Sequence, residues 1–168
     1  MTPTNQTNFE ERLNQEINSL VNQPGAAYLR TSIKQNITLD EFFEDKMLII
    51  NAIRAGIPYS FFRLIQMYVP FSENEWAGFL DISTKSLQRY KTAGNFNFKP
   101  IHSEKIIEMA EVTRAGLEVF GDIDKLKLWL NTPNFALGNH KPIELLRDSY
   151  GKDMVMGELI RISHGIFI

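Results

Sequence analysis

The spacing of apolar residues along the chain predicts helices that are separated by glycine and proline. The run 46–55, KMLIINAIRA, is strongly apolar and stops at Gly56, which favours a core helix with a glycine end; a short strand is the alternative. The next segment, 59–69, has apolar residues at helical spacing and closes at Pro70. We therefore expect two buried helices in this region.

Two short helices joined by a tight turn are predicted next. Ser72 and Glu75 have the capping-box spacing, in which the serine oxygen accepts from a first-turn amide and the glutamate reaches back. Residues 81–82 then form a turn, and Ser83 can cap a further helix that ends before Gly94. This order is typical of a helix-turn-helix.

The second half of the chain predicts one long helix and three shorter ones. Residues 103–120 form the long helix, with Ser103 as its cap and Gly121 as its stop. The three shorter helices follow Asp122, Pro142 and Gly151, and the last ends before a glycine and a short apolar tail.

Residues 1–45 are rich in Asn, Gln, Thr and acids, and we interpret them as a frayed arm with one amphipathic helix and a candidate self-association element. The helix carries a weak apolar stripe that stops at Pro24, formed by Phe9, Leu13, Ile17 and Leu20. The sequence thus predicts an all-α protein with this arm, a helix-turn-helix DNA-binding domain at 46–102 and a helical C-terminal domain at 103–168.

Composition and charge narrow the functional classes. Of the 168 residues, 43% are hydrophobic and 23% charged, as in a packed globular protein. The formal net charge of −2 gives no overall field that would attract nucleic acid, so DNA binding requires a local basic patch. The start of the chain lacks a secretory signal, and no apolar run approaches the ~20 residues of a membrane span, so we expect a cytoplasmic protein.

Candidate catalytic chemistry is sparse. There are no cysteines, and the three histidines (His102, His140 and His164) are isolated rather than at metal-ligand spacing. No HExxH, GxSxG, P-loop or GxGxxG motif occurs. We therefore expect no enzymatic activity, no catalytic residue, no metal and no cofactor.

A local basic patch does occur in the predicted second helix of the helix-turn-helix. Between Ile82 and Ser103 there is no acidic residue, while Lys85, Arg89, Lys91 and Lys99 are basic. On a helix, Lys85, Gln88 and Arg89 share one exposed face and suit base edges in the major groove. The predicted phosphate contacts are Ser83, Thr84, Ser86 and Lys91. The alternative is a solvated amphipathic helix.

Several motifs follow one another in the C-terminal half. They are EVFG at 118–121, WLNTPN at 129–134, LG at 137–138 and PIELL at 142–146, and they are followed by the segment 157–165. Together with LDIS at 80–83 and LQR at 87–89, they give residues 47–168 a pattern that resembles the Xre/MbcA/ParS family of type II antitoxins.

The resemblance implies a partner and a regulatory role. Such antitoxins are usually paired with a RES-domain toxin that consumes NAD, which implies direct binding and inhibition of that toxin. It also implies repression of the operon through operator DNA in its own promoter. Because a helix-turn-helix protein usually reads paired half-sites, we expect a homodimer and a higher-order toxin–antitoxin complex.

The same resemblance implies a toxin-binding surface near the C-terminus. The residues implied at the tail are Arg161, His164, Gly165, Ile166, Phe167 and Ile168. The loop residues implied to shape or support the surface are Asn131, Thr132, Pro133, Asn134 and Leu137. The apolar tail has nothing local to bury against, so it either enters a partner's cleft or folds back into its own core. Trp129 is interpreted as a core residue, with a partner contact as the alternative.

Three residues depart from the family pattern. Tyr90 stands where a further arginine is expected, which leaves the operator sequence open. Asn139 replaces a loop glycine and suits a left-handed backbone, and Arg147 replaces an acid after the Leu-Leu pair. Two other functions stay open from the sequence: a transcriptional regulator without a toxin, and an adaptor that binds some other protein.

Overall fold

The computed structural model describes residues 3–21 and 37–165, and the regular secondary structure in that part of the chain is helical. Within these ranges there is no β-strand, only two isolated bridges that join Pro58 to Asn97 and Asn134 to His140. The helices are α1 (Pro3–Val21), α2 (Leu39–Glu44), α3 (Lys46–Ala55), α4 (Tyr59–Tyr68), α5 (Glu73–Phe79), α6 (Thr84–Ala93), α7 (Pro100–Phe120), α8 (Ile123–Leu130), α9 (Pro142–Leu145) and α10 (Ser149–Ser163), with a 3-10 helix at Phe135–Leu137. The predicted all-α fold is confirmed.

The chain forms two compact units. Unit 1 comprises Met1–Ile65 and Lys85–Ile107, and unit 2 comprises Gln66–Thr84 and Glu108–Ile168, so far as the structure describes them. This division differs from the predicted boundaries at 46 and 103. It also assigns α5 and α6, the two helices of the predicted helix-turn-helix, to different units.

The amphipathic helix of the N-terminal segment is part of unit 1 rather than a free arm. Its apolar stripe is buried at Leu13, Ile17 and Leu20. Asn14 accepts a hydrogen bond from the Leu39 amide at 3.0 Å through its side-chain oxygen, which connects α1 to the start of α2. The side chain of Phe9 and the predicted stop at Pro24 lie outside the described residues.

The run 46–55 is helix α3, so the strand alternative is excluded. Ser103 is not the cap of the long helix, because α7 already begins at Pro100. Instead, the buried Ser103 hydroxyl accepts a hydrogen bond from the Ile57 amide at 2.9 Å and donates to the Phe98 carbonyl at 3.3 Å. It satisfies two backbone groups inside unit 1 that would otherwise lose their hydrogen bonds to water.

In unit 2, the helix ends that local sequence predicted are present. Ser72 Oγ accepts from the Glu75 amide at 3.3 Å and the Ser72 amide donates to the Glu75 carboxylate at 2.6 Å, which is the predicted capping box of α5. Gly121 ends α7 with φ of 68°, and Asp122 caps α8 by accepting from the amides of Asp124 and Lys125.

The last two helices differ from the prediction. The helix that opens at Pro142 ends at Leu145 instead of continuing to Gly151. Gly151 lies inside α10 and is buried, and a Cβ there would stand 2.0 Å from the Leu145 carbonyl oxygen. Gly151 therefore allows α10 to pack against the end of α9 and is not a helix stop. Lys152 of α10 also forms an ion pair with Glu111 of α7 at 3.1 Å.

Candidate binding surfaces

Helix α6 presents a polar, basic face to solvent. Lys85, Gln88 and Arg89 are exposed, as the predicted base-contacting face requires, while Leu87 is buried in unit 1. The residues assigned to phosphate contacts are less uniform, since Ser83 and Lys91 are exposed but Thr84 and Ser86 are half-buried. Six of these seven residues lie on α6, and Ser83 immediately precedes it.

Tyr90, the departure from the family pattern on α6, has a packing role. Its ring stacks on Phe96 with 3.6 Å between ring centroids and 4° between ring planes. Phe98 meets the Tyr90 ring edge-on at 5.8 Å. The Arg89 guanidinium carbon lies 5.5 Å from the centre of the Tyr90 ring, within the range of a cation–π contact. An arginine at position 90 would lose the ring stack.

The loop between α8 and α9 is held by its own hydrogen bonds. The side chains of Asn131 and Thr132 donate to the last carbonyls of α8, those of Lys127 and Leu128, at 2.9 and 2.7 Å. Both side chains are exposed at this helix end, as is Pro133. The first part of the loop therefore forms a fixed polar rim.

The second part of the loop turns on a left-handed backbone. Asn134 caps the 3-10 helix by accepting from the Ala136 amide at 2.8 Å, and Asn139 has φ of 61°, as predicted. Leu137 is only 3% exposed, so it supports the loop from the core and offers little contact surface. Phe135, which the sequence did not single out, is 74% exposed.

Helix α10 has two different faces. Gly151, Val155 and Leu159 are buried in unit 2. The opposite face includes Tyr150, which is 87% exposed, and Met154, which is 49% exposed. The apolar stripe predicted for this helix is the buried one. A second stripe at 150, 154 and 157 was the signal that could have identified the exposed face.

Glycine, arginine and histidine continue that exposed face toward the C-terminus. Nothing lies within 4 Å of the place where a Cβ of Gly157 would stand. Arg161 is half-buried and pairs with Glu158 at 3.6 Å, and His164 is exposed. Gly165 has φ of 70°. The tail residues Ile166, Phe167 and Ile168 lie outside the described residues.

Two other sequence observations have a structural counterpart in unit 2. Trp129 is half-buried, with its ring 5.6 Å from that of Phe120. The Arg147 guanidinium lies against Gly78 of α5, 3.6 Å from the position of a Cβ.

Among the described residues, no helix is both long enough and apolar enough to cross a membrane.

The chain is similar to known antitoxins both in sequence and in fold. Residues 115–165 match the antitoxin Xre/MbcA/ParS C-terminal toxin-binding domain. The mycobacterial cidal antitoxin MbcA of Mycobacterium bovis is 30% identical over 89 residues, covering 53% of this chain and 76% of the relative, and MbcA of Mycobacterium tuberculosis matches equally. In the crystal structure of the M. tuberculosis MbcT–MbcA toxin–antitoxin complex, one chain aligns with TM-score 0.52 and 26% identity over 64% of this chain and 94% of that chain.

The helical fold and these matches define the chain as an antitoxin of a toxin–antitoxin system. It belongs to the Xre/MbcA/ParS antitoxin family.

Proposed function

We propose that this chain binds and inhibits a RES-domain, NAD-consuming toxin through unit 2. The observation that carries the proposal is the position of the family's toxin-binding domain, 115–165, which falls within unit 2 and includes the whole of α10. The outer face of α10, formed by the exposed residues Tyr150, Met154 and Gly157 and the half-buried Arg161, is the proposed toxin-contacting surface. We call it the α10 face.

The spacing and chemistry of the α10 face support this role. Positions 150, 154, 157 and 161 follow the helical repeat, so the four residues form one stripe. An exposed aromatic ring and a methionine in one stripe are typical of interface cores, in which aromatic residues and Met are enriched. An arginine at the end of the stripe adds a donor for a partner's carboxylate or carbonyl groups.

Gly157 provides a further argument for close contact. A glycine in an exposed helix costs about 1 kcal/mol relative to alanine, and no group of unit 2 lies close enough to Gly157 to exclude a side chain there. A partner that packs against the backbone of α10 would require glycine at this position, because only glycine leaves that space free. The proposed tail contacts at Gly165 to Ile168 and the rim at Asn131–Asn134 would extend this surface.

The proposed regulatory function is repression of the operon by a dimer that binds operator DNA through α6. Its support is the exposed face of Lys85, Gln88 and Arg89, in which the forked groups of Gln88 and Arg89 suit base edges and Lys85 adds a positive charge. A dimer would place two such helices on paired half-sites.

The direct test measures binding between the purified chain and the RES-domain protein encoded beside its gene, by calorimetry. The unaltered chain should bind, and Met154→Glu should weaken binding by at least about tenfold, as at an interface hot spot. Met47→Glu is the matched control, because Met47 is 56% exposed on α3 of unit 1. Absence of binding by the unaltered chain would reject the toxin proposal, and equal losses for both variants would reject the α10 face.

A further inference from the structure

The segment 94–99, which follows α6, bends at Gly94 and Asn95, with a Gly94 φ of 72°, and then runs extended from Phe96 to Lys99. Phe96 and Phe98 face the interior of unit 1, half-buried and fully buried respectively. Asn95, Asn97 and Lys99 are exposed. From Phe96 to Lys99 this alternation is the two-residue period of an extended backbone, so Asn97 and Lys99 share the outer side, while Asn95 is exposed at the bend before them. We call this segment the flank strip.

Backbone hydrogen bonds fix the flank strip within unit 1. The Tyr59 amide donates to the Phe96 carbonyl and the Phe98 amide donates to the Ile57 carbonyl, each at 2.8 Å. Gly56 makes room for this pairing, since a Cβ there would stand 2.5 Å from the Phe98 carbonyl oxygen. These two bonds flank Asn97, whose backbone position is therefore fixed within unit 1.

Aromatic stacking fixes the flank strip to one side of α6. Phe96 stacks on the Tyr90 ring, and the Arg89 guanidinium carbon lies 5.5 Å from the centre of the same ring. On the helix, Tyr90 lies one step around from Arg89, at the edge of the exposed face. The strip thus borders the exposed face of α6 on its Arg89 side.

The charge and the donors of the flank strip suit an anionic backbone. No acidic residue occurs between Ile82 and Ser103, which includes the whole strip. Lys99 supplies a cation, and the two asparagine amides supply neutral donors. These are the side chains that contact phosphate and sugar oxygens in protein–DNA interfaces.

The size of the DNA groove determines which part of the DNA the strip would meet. A helix with its side chains is about 10–12 Å across, and the major groove is about 12 Å wide. A helix in the groove leaves no room beside it for further base contacts. An element fixed to its flank therefore meets the groove wall, which is the sugar–phosphate backbone.

We propose that the flank strip is a second DNA-contacting element, in which Asn95, Asn97 and Lys99 bind the sugar–phosphate backbone beside α6. This inference rests on the proposed operator binding. It separates two roles in unit 1: the α6 face distinguishes sequences, and the flank strip contributes affinity that is independent of sequence.

The test compares binding of the full chain to two duplexes of equal length, its own promoter fragment and a scrambled version, by fluorescence anisotropy at 50–200 mM salt. Lys99→Ala should weaken both equally and lower the slope of log K against log salt by about 0.9. The double variant Asn95→Ala/Asn97→Ala should weaken both roughly tenfold without changing the slope. Lys125→Ala, an exposed lysine on α8, is the charge-matched control and should leave both affinities unchanged.

Arg89→Ala distinguishes failure of this proposal from failure of operator binding, because it should reduce the preference for the promoter over the scrambled duplex. If Arg89→Ala loses that preference while the Asn95/Asn97 and Lys99 variants bind like the unaltered chain, the flank strip is rejected and operator binding stands. If the unaltered chain binds both duplexes equally, operator recognition is rejected, and the flank strip is rejected with it only if the Asn95/Asn97 and Lys99 variants bind like the unaltered chain; if the unaltered chain binds neither duplex, both proposals are rejected. Thermal unfolding of each variant confirms that the fold is retained.

Discussion

Replacing Gly151 by alanine tests the close packing between α9 and α10. The new Cβ would stand 2.0 Å from the Leu145 carbonyl oxygen and 2.8 Å from its carbon. Both distances are well inside the roughly 3.5 Å at which non-bonded heavy atoms attract each other best. Because the opposing atoms are backbone, the end of α9 must move.

The expected cost follows from two opposing terms. Overpacking of this kind typically costs about 1–3 kcal/mol of the free energy of unfolding, and because the clash with backbone is close we take the upper end, about 3 kcal/mol. Alanine regains about 1 kcal/mol through its better helix propensity. The net loss is about 2 kcal/mol, which corresponds to a midpoint of thermal unfolding lower by roughly 4–8 °C.

The matched control is Gly157→Ala in the same helix, where nothing lies within 4 Å of the new Cβ. This variant should raise the midpoint by roughly 2–4 °C, because only the propensity gain of about 1 kcal/mol applies. Thermal unfolding followed by circular dichroism measures both. Equal midpoints for the two variants would refute the packing argument.

Gly157→Ala also tests the proposed contact between the toxin and the backbone of α10. If the toxin packs against the backbone at Gly157, this variant should bind the toxin at least about tenfold more weakly although it is more stable. Calorimetry with the purified RES-domain protein measures this. Unchanged affinity would show that the contact does not require glycine.

Three further substitutions test individual contacts. Ser103→Ala should cost about 1–3 kcal/mol in urea unfolding, because it leaves the buried Ile57 amide without its acceptor; a loss below about 0.5 kcal/mol would contradict this. Tyr90→Arg, which restores the family's arginine, should lower stability by about 1 kcal/mol through loss of the stack on Phe96 and should not improve promoter affinity; tighter binding at unchanged stability would argue against a packing role. Asn139→Ala should lower the unfolding midpoint and Asn139→Gly should not, since φ is 61°; an equal response would show that the backbone conformation is not the constraint.

The helix ends were predictable where neighbouring residues determine them. The box of Ser72 and Glu75 and the stop at Gly121 both depend on groups within four residues along the chain. For the same reason the strand reading of 46–55 fails, because Asp45 caps that segment as a helix by accepting from its first amides.

The errors arose where distant residues decide the outcome. Ser103 has a sequence position that suits a cap, but its hydroxyl is used by Ile57, 46 positions earlier. Glycine often ends a helix, but Gly151 lies within α10, where the absence of a side chain lets the helix pack against Leu145 at the end of α9. A single sequence contains no direct record of such tertiary contacts.

The candidate surfaces were predictable in part. The exposed face of α6 followed from helical periodicity, and so did the burial of Leu87. The apolar stripe at Tyr150 and Met154 was missed because the other side of α10 carries the stronger apolar pattern. The aromatic stack that fixes the flank strip was missed because it forms only where the chain after α6 folds back and brings Phe96 onto Tyr90.

The central claim is that this antitoxin neutralises a toxin by direct action. The most direct measurement is the NAD level and growth of cells that express the RES-domain protein encoded beside the gene, alone, with the full chain, or with a chain lacking residues 165–168. Restored NAD and growth with the full chain is the predicted result, and restoration by the shortened chain as well would place inhibition on the α10 face rather than the tail. Depleted NAD and arrested growth with both chains would contradict the claim.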